Sequence, residues 1–223
     1  MENEKDKETI YGEYLPGLEA AMEIVREKIL RWSDRMKEET GHRPIEHLEC
    51  RIKTDESMRD KLKRNGLEET AKNALRQVYD AVGLRVVCRF LDDVYRAAKA
   101  IERMEGVRLF ACKDYIRSAK ENGYRSYHMI IAVRTDTEDV DGKKPGWFFA
   151  EIQLRTIAMD TWAVLEHQIS YKQVAGIQDM IRRELKRCAD DLAACDVSMQ
   201  AIRDMISMRE RGDISDEDPG GRG

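Results

Sequence analysis

Two apolar stripes of helical period, one near each end, confine whatever sheet this chain can build to the stretch between them. Leu15, Leu18, Met22, Val25, Ile29, Trp32 and Met36 step by three and four. That spacing predicts an amphipathic helix over about 12–39, stopped near Gly41. Ile181, Leu185, Cys188, Leu192, Cys195, Met199, Ile202 and Ile206 keep the same alternation of fours and threes. They predict a second long helix with a narrow apolar seam. Beyond Gly212 the acidic, glycine-rich residues read as a disordered tail.

Between the stripes the period switches back and forth. Strand-like runs at 47–53, 82–90, 107–115, 125–134 and 147–155 alternate with helical patterns at 56–64, 67–77, 92–105 and 157–172. Asp141-Gly142 and Pro145-Gly146 mark the link between the fourth and fifth strands as a hairpin-type connection. The expected architecture is α/β (α+β): a mixed five-stranded sheet flanked by helices, with a long helix at each end. No internal repeat is present.

At 223 residues the chain suits one well-packed domain with helical arms rather than two full cores. Charged residues at 37% and hydrophobic residues at 42% fit a soluble protein. No run approaches the roughly 20 apolar residues of a membrane span. Residues 1–9 form a charge run without an apolar stretch, so no secretory signal is expected and a cytosolic location is. Cys50, Cys88, Cys112, Cys188 and Cys195 form no C-x-x-C pair. They are expected as small buried hydrophobes, not as a zinc site or disulfide framework. A net charge of −4 argues against general nucleic-acid binding. Residues 51–64 nevertheless hold six basic and three acidic side chains, which suits a small polyanion.

Four constellations carry chemistry. On a strand, Arg51 and Lys53 share a face, and the following helix sets Ser57, Lys61 and Arg64 along another. Together they can line a triphosphate, although a solvated basic face has the same pattern. Asp80 stands just before the apolar run 82–88, with Gly83 and Arg85 behind it, as a hard-oxygen ligand for Mg²⁺ or simply a turn residue. Lys120, Tyr124, Ser126 and His128 crowd one segment, with Tyr124, Ser126 and His128 expected on one strand side. A tyrosine ring over a base with Lys120 and His128 on phosphates makes a nucleotide pocket; a decorated sheet edge is the plainer alternative. Glu151, Gln153 and Arg155 alternate with apolar Ala150, Ile152 and Leu154, either as a wet sheet face or with Glu151 as a second carboxylate. Further along, His167 is expected to be packed and hydrogen-bonded.

Read together, RIKTDESMRDKLKR, YDAVGLRVVCRFLDD, KDYIRSAKENGYRSYH and EIQLRTIAMDTWAVLEHQISYK resemble the synthetase domain of the RelA/SpoT superfamily, in particular its small alarmone synthetases. The order and spacing match over roughly 45–172. The resemblance implies a nucleotidyltransferase-like fold and transfer of pyrophosphate from ATP to GTP or GDP, with Mg²⁺, giving AMP and (p)ppGpp. It implies an arm at 1–44, a synthetase domain at 45–175, an oligomerising helix at 176–211 and a tail at 212–223. By position, Arg51 and Arg85 are implied to sandwich adenine, and Lys53, Ser57, Lys61 and Arg64 to hold the ATP phosphates. Asp80 and Glu151 are implied to hold Mg²⁺, with Glu151 also polarising the acceptor hydroxyl. Tyr124 is implied to stack on guanine, Lys120 and His128 to hold acceptor phosphates, and Gln153 and Asp160 to contact the guanine nucleotide.

Asp160 departs from the asparagine of several members. His47 and Glu49 replace a Phe and a Thr that some members use in an allosteric alarmone site, which puts product feedback in doubt. No His-Asp dipeptide occurs, so synthesis without hydrolysis is expected. The resemblance also implies a homotetramer formed through the terminal helices. Two other readings stand beside this one. The acceptor is a tRNA 3′ end or an adenine nucleotide, or the chain is a silent nucleotide-binding module.

Overall fold

The computed structural model describes residues 9–171 and 178–210. The charge run through residue 8, the end of the fourth predicted inner helix at Lys172 and the tail expected from 213 lie outside them. After a 3-10 turn at Gly12–Tyr14, α1 runs Leu15–Thr40. Proline sits in its first turn, where the missing N–H has no partner to lose. Gly41 ends it at φ 72°, its N–H bonded to the Lys37 carbonyl.

There follow β1 (Ile45–Ile52), α2 (Asp55–Arg64), α3 (Ala71–Arg76), β2 (Val82–Cys88), α4 (Leu91–Glu102), β3 (Val107–Asp114), β4 (Tyr127–Thr135), β5 (Gly146–Thr156), α5 (Ile157–Tyr171) and α6 (Gln178–Glu210). The hydroxyls of Thr54 and Thr70 cap α2 and α3 by accepting from the N–H groups of Ser57 and Asn73. The predicted helix at 67–77 therefore begins only at Ala71, because Gly66 at φ 68° and the Thr70 cap take up the residues before it.

The five strands form one sheet in the order β1-β2-β5-β4-β3. Only β2 and β5 pair in parallel; the other three ladders are antiparallel, so the expected mixed sheet is present. Alternation sorts the strands into two faces. Val82, Leu84, Val86, Met129, Ile131, Ile152 and Leu154 are buried with Leu18, Ala21, Val25 and Ile29 of α1 and Val94, Ala97 and Ile101 of α4. Each large aliphatic side chain buried this way contributes about 1.5–3 kcal/mol. Gly17 lets α1 come close: a Cβ there would run into the ring of Phe148. The intervening positions, among them Arg51, Gly83, Arg85, His128, Glu151 and Gln153, share the opposite face.

Four expectations need correcting. β4 starts at Tyr127, so Tyr124 and Ser126 precede the ladder instead of sharing a strand side with His128. Ser126 turns inward, fully buried, and donates to the Leu154 carbonyl at 3.1 Å. Cys88 is buried, but Cys112, Cys188 and Cys195 are exposed, on the edge strand and on the outer side of α6. His167 is exposed too, because α5 meets α6 through Met159 and Trp162, whose indole donates to the Leu185 carbonyl at 2.8 Å.

Candidate active site

Arg51, Gly83 and Glu151 are direct partners across β1, β2 and β5, so their side-chain positions lie abreast on one face. Two residues on, Glu49, Arg85 and Gln153 repeat the arrangement. With Asp80 at the mouth of β2, these residues line a cleft of about 470 Å³. Gly83 is its floor. A Cβ there would sit 3.7 Å from Cγ of Arg51, an ordinary contact, whereas a branched side chain would project into the gap between Arg51 and Glu151. With ATP, the substrate the resemblance implies, a Gly83→Val protein is expected to fold and to show a KM raised at least about tenfold, a loss of about 1.4 kcal/mol. An unchanged KM in steady-state assays would remove Gly83 from the cleft's function.

The basic wall meets Asp80 directly. Lys53 and Lys61 reach its Oδ2 at 3.1 Å and 2.7 Å. Burial pushes the Asp80 carboxyl up, but the two ammonium groups, Lys61 foremost, outweigh it and hold the group below the ordinary carboxylate range. Its Oδ1 is buried and has no hydrogen-bond partner among the described residues. Ser57 and Arg64 stand apart from this cleft. Ser57 accepts from the Thr54 hydroxyl at 2.9 Å, and exposed Arg64 donates to the Asp60 carbonyl of its own helix. Arg85 points into the cleft between Glu49 at 3.1 Å and Asp160 at 3.6 Å.

On the other flank a closed ring of hydrogen bonds organises the remaining residues. Arg155, only 5% exposed, donates through Nη2 to the Tyr124 hydroxyl at 2.9 Å and to Oε1 of Gln153 at 2.8 Å. Through Nη1 it donates to Asp160 at 2.9 Å. The Tyr124 hydroxyl pairs with His128 Nε2 at 2.8 Å, and His128 Nδ1 lies 3.3 Å from Oε1 of Glu151. The amide of Gln153 donates to Oε2 of Glu151 at 3.2 Å. A guanidinium only donates, so the Tyr124 oxygen accepts from Arg155 and turns its own proton toward Nε2 of His128. Nε2 then accepts, which places the imidazole proton on Nδ1, aimed at Glu151. Both Glu151 oxygens thus receive a donor, along two paths that start at Arg155. The His128 bond outweighs burial and holds the Glu151 carboxyl below its ordinary range. Lys120 lies over the rings of Tyr115 and Tyr124 at 4.9 and 5.0 Å.

Arg155 was not among the expected site residues. Alternation alone put it on the wet face beside Glu151 and Gln153, and nothing in the string marked it as buried. The loop carrying Tyr124 is seated on α6: a Cβ on Gly123, at φ 93°, would meet Cβ of Ala189 at 2.6 Å. Arg125 fixes the same junction, donating to the Ala189 carbonyl at 3.2 Å and to Asp190 at 2.9 Å.

A family model described as a region found in RelA/SpoT proteins matches residues 50–176, more than half of the 223. The chain belongs to the RelA/SpoT family. The matched region holds every cleft-lining residue except Glu49, which lies one position before it. Among RelA/SpoT relatives, the chain is 41% identical over 164 residues to the GTP pyrophosphokinase YwaC of Bacillus subtilis (strain 168), covering 73% of this chain and 76% of that one. Its fold is similar to the small alarmone synthetase 1 of Bacillus subtilis bound to its product pppGpp, with TM-score 0.74, 30% identity, and 86% and 95% of the two chains covered. The same synthetase bound to AMPCPP gives TM-score 0.68 at 27% identity, with 87% and 95% covered.

Proposed function

We propose that the chain transfers the β,γ-pyrophosphate of ATP to the 3′-hydroxyl of GTP or GDP, releasing AMP and (p)ppGpp. One observation carries this reading: Asp80 and Glu151 line a single cleft between a cationic wall and a tyrosine shelf. Similarity to enzymes named GTP pyrophosphokinase supports it.

In the reaction the 3′-oxygen bonds to the β-phosphorus as the bond from that phosphorus to the α,β-bridging oxygen breaks, and AMP leaves with that oxygen. The work is positioning and charge neutralisation. Arg51 and Arg85 flank the adenine, and Lys53 and Lys61 receive the triphosphate, with Ser57 and Arg64 extending the wall outward along α2. Glu151 takes the hydroxyl proton. Its low basicity suits a group that orients the hydroxyl and accepts the proton only as the new bond forms. Tyr124 stacks on guanine, with Gln153 and Asp160 at its edge. His128 has both nitrogens engaged in the ring, so it holds an acceptor phosphate only by releasing Tyr124. Lys120, with no ion pair among the described residues, is the readier phosphate ligand.

The donor set fits a divalent cation. Asp80 Oδ1 is a buried, unpartnered oxygen, and no cluster of three or more His, Cys, Asp or Glu occurs among the described residues. Two carboxylates plus phosphate oxygens make the hard-oxygen set that Mg²⁺ accepts, and Asp80 and Glu151 are the residues to hold it. When bound, the ion supplies positive charge to the phosphate oxygens.

Incubating the protein with labelled ATP and GDP, GTP, GMP, an adenine nucleotide or tRNA, then resolving products, tests the reading. AMP release that requires GDP or GTP is expected. Release with only tRNA or adenine nucleotides would reassign the acceptor, and no release with any of them would leave a binding module.

Met199, Ile202, Met205 and Ile206 form an exposed apolar run on one side of α6. Continuous apolar surface of this kind favours self-association, and we assign it to a homotetramer. Light scattering is expected to give four chain masses; one chain mass would refute it. No helix among the described residues is long and apolar enough to cross a membrane. We place the reaction in the cytosol, where its nucleotide substrates are.

A further inference from the structure

The turn that carries Tyr124 also carries Lys120, and it closes on itself. The N–H of Gly123 donates to the Lys120 carbonyl at 2.8 Å, and the N–H of Lys120 donates to the Tyr124 carbonyl at 3.1 Å. The N–H of Tyr124 donates to the side-chain oxygen of Asn122 at 3.1 Å. Lys120 and Tyr124 are therefore parts of one small unit, outside the ladder that begins at Tyr127. A unit of this size has no core of its own, so its position is set by what it leans on.

It leans on α6. Lys186, Ala189, Ala193 and Asp196 step by three and four along one side of that helix. Gly123 rests against Lys186 and Ala189, and the Thr156 hydroxyl, at the end of β5, donates to Asp196 at 2.5 Å. Arg125, 17% exposed at its side chain, ties the junction together. Its Nη1 donates to the carbonyls of Gly123 at 3.1 Å and Ala189 at 3.2 Å, and its Nη2 to Asp190 at 2.9 Å. One planar fork thus joins the backbone of the turn to the backbone of the helix. Lys186 holds Asp190 in place from the same helix at 2.6 Å. Tyr124 is then fixed twice, at its hydroxyl by Arg155 and at its backbone through Arg125.

We propose that Arg125 is a positioning residue for the acceptor nucleotide: it pins the turn of Lys120 and Tyr124 to α6, which serves as the strut of the acceptor half of the cleft. The inference rests on the reading that Lys120 and Tyr124 receive GTP or GDP. Arg125 is not among the residues that line the cleft, and its guanidinium is spent on the turn and on α6. The groups assigned to ATP stand on other elements, β1, α2 and β2 with its mouth. Disturbing the junction therefore displaces the acceptor groups and leaves the ATP groups where they are.

Steady-state kinetics of the full chain with ATP and GDP separates the two halves. Arg125→Met is expected to raise the KM for GDP about tenfold or more, while the KM for ATP stays within about twofold of the parent. Arg125→Lys should recover part of the loss, since an ammonium lacks the fork that spans turn and helix. Ala189→Leu, on α6 where Gly123 rests, should raise the KM for GDP in the same way with the turn's own sequence intact. Arg187→Met, on the same helix beside Glu184, should leave both KM values alone. Hydrogen exchange read by mass spectrometry should show residues 120–126 less protected in Arg125→Met and Ala189→Leu than in the parent. Unchanged protection of the strands shows that each variant is folded. Both KM values rising together, or a KM for GDP that Arg125→Met leaves unchanged, overturns the proposal. So does an Arg187→Met protein that behaves like Arg125→Met. A parent that releases AMP with neither GDP nor GTP refutes the reading of the cleft instead. The pinning then stands on the exchange alone, and equal protection of 120–126 in parent and Arg125→Met overturns it.

Discussion

A Glu151→Gln protein is expected to bind both nucleotides and turn over about 10²–10⁴-fold more slowly, the usual contribution of a positioned general base. The substitution keeps shape and removes charge, but it also reverses one end of the hydrogen-bond ring. Glu151 accepts on both oxygens, from His128 and from Gln153. A glutamine amide must present its NH₂ to one of those donors, so one side of the ring opens. Single-turnover rates at saturating substrate measure the chemical step, and calorimetric titration shows whether binding survives. A near-parental rate would take Glu151 out of the chemistry, and with it the assignment of the 3′-hydroxyl proton.

The second large effect belongs to a residue that touches no reacting atom in this arrangement. Arg155→Met is expected to lower kcat/KM for GDP or GTP by about 10²-fold, as misplacement of a positioned group does, while the KM for ATP stays near the parent. Tyr124, Gln153 and Asp160 all lose the group that fixes them. The fold should also weaken. Asp160 keeps Arg85 at 3.6 Å and is one-fifth exposed, so the loss is about 1–3 kcal/mol, below that of a fully orphaned charge. Arg155→Lys should recover part of the stability but little acceptor specificity, since an ammonium cannot fork to three partners in one plane. Urea unfolding and acceptor kinetics separate the two roles. A variant that loses only stability, with acceptor KM and kcat unchanged, makes Arg155 a structural residue and nothing more.

The strands were readable in the string because one face is buried and one wet, and a period of two records that difference directly. The same period put Arg51 with Lys53, and Glu151 with Gln153, on shared strand faces; which strands are neighbours it does not say, and the β1–β2 and β2–β5 registers are what set Arg51, Gly83 and Glu151 abreast. What alternation does not encode is depth. Arg155 has the wet-face parity of Glu151 yet is buried, because the Tyr124 loop and α5 close over the end of β5. Ser126 was misplaced for the related reason that the chain near Gly123 has left-handed backbone and lies outside the ladder. The exposed cysteines and His167 show the limit of a stripe: it marks which residues share a helix face, but not whether another element covers that face.

The pairing of Lys53 and Lys61 with Asp80 has a bearing on how the first substrate enters. Under the proposed assignment, a triphosphate approaching that wall does not meet two bare ammonium groups ringed by water, but cations already drawn in and held by a carboxylate of the chain itself. Entry is then an exchange of companions, in which the incoming anion displaces part of what the aspartate held and leaves that side chain free to turn outward. Such a swap lets the seat keep its shape while vacant and makes the arrival of nucleotide and the unmasking of Asp80 a single event.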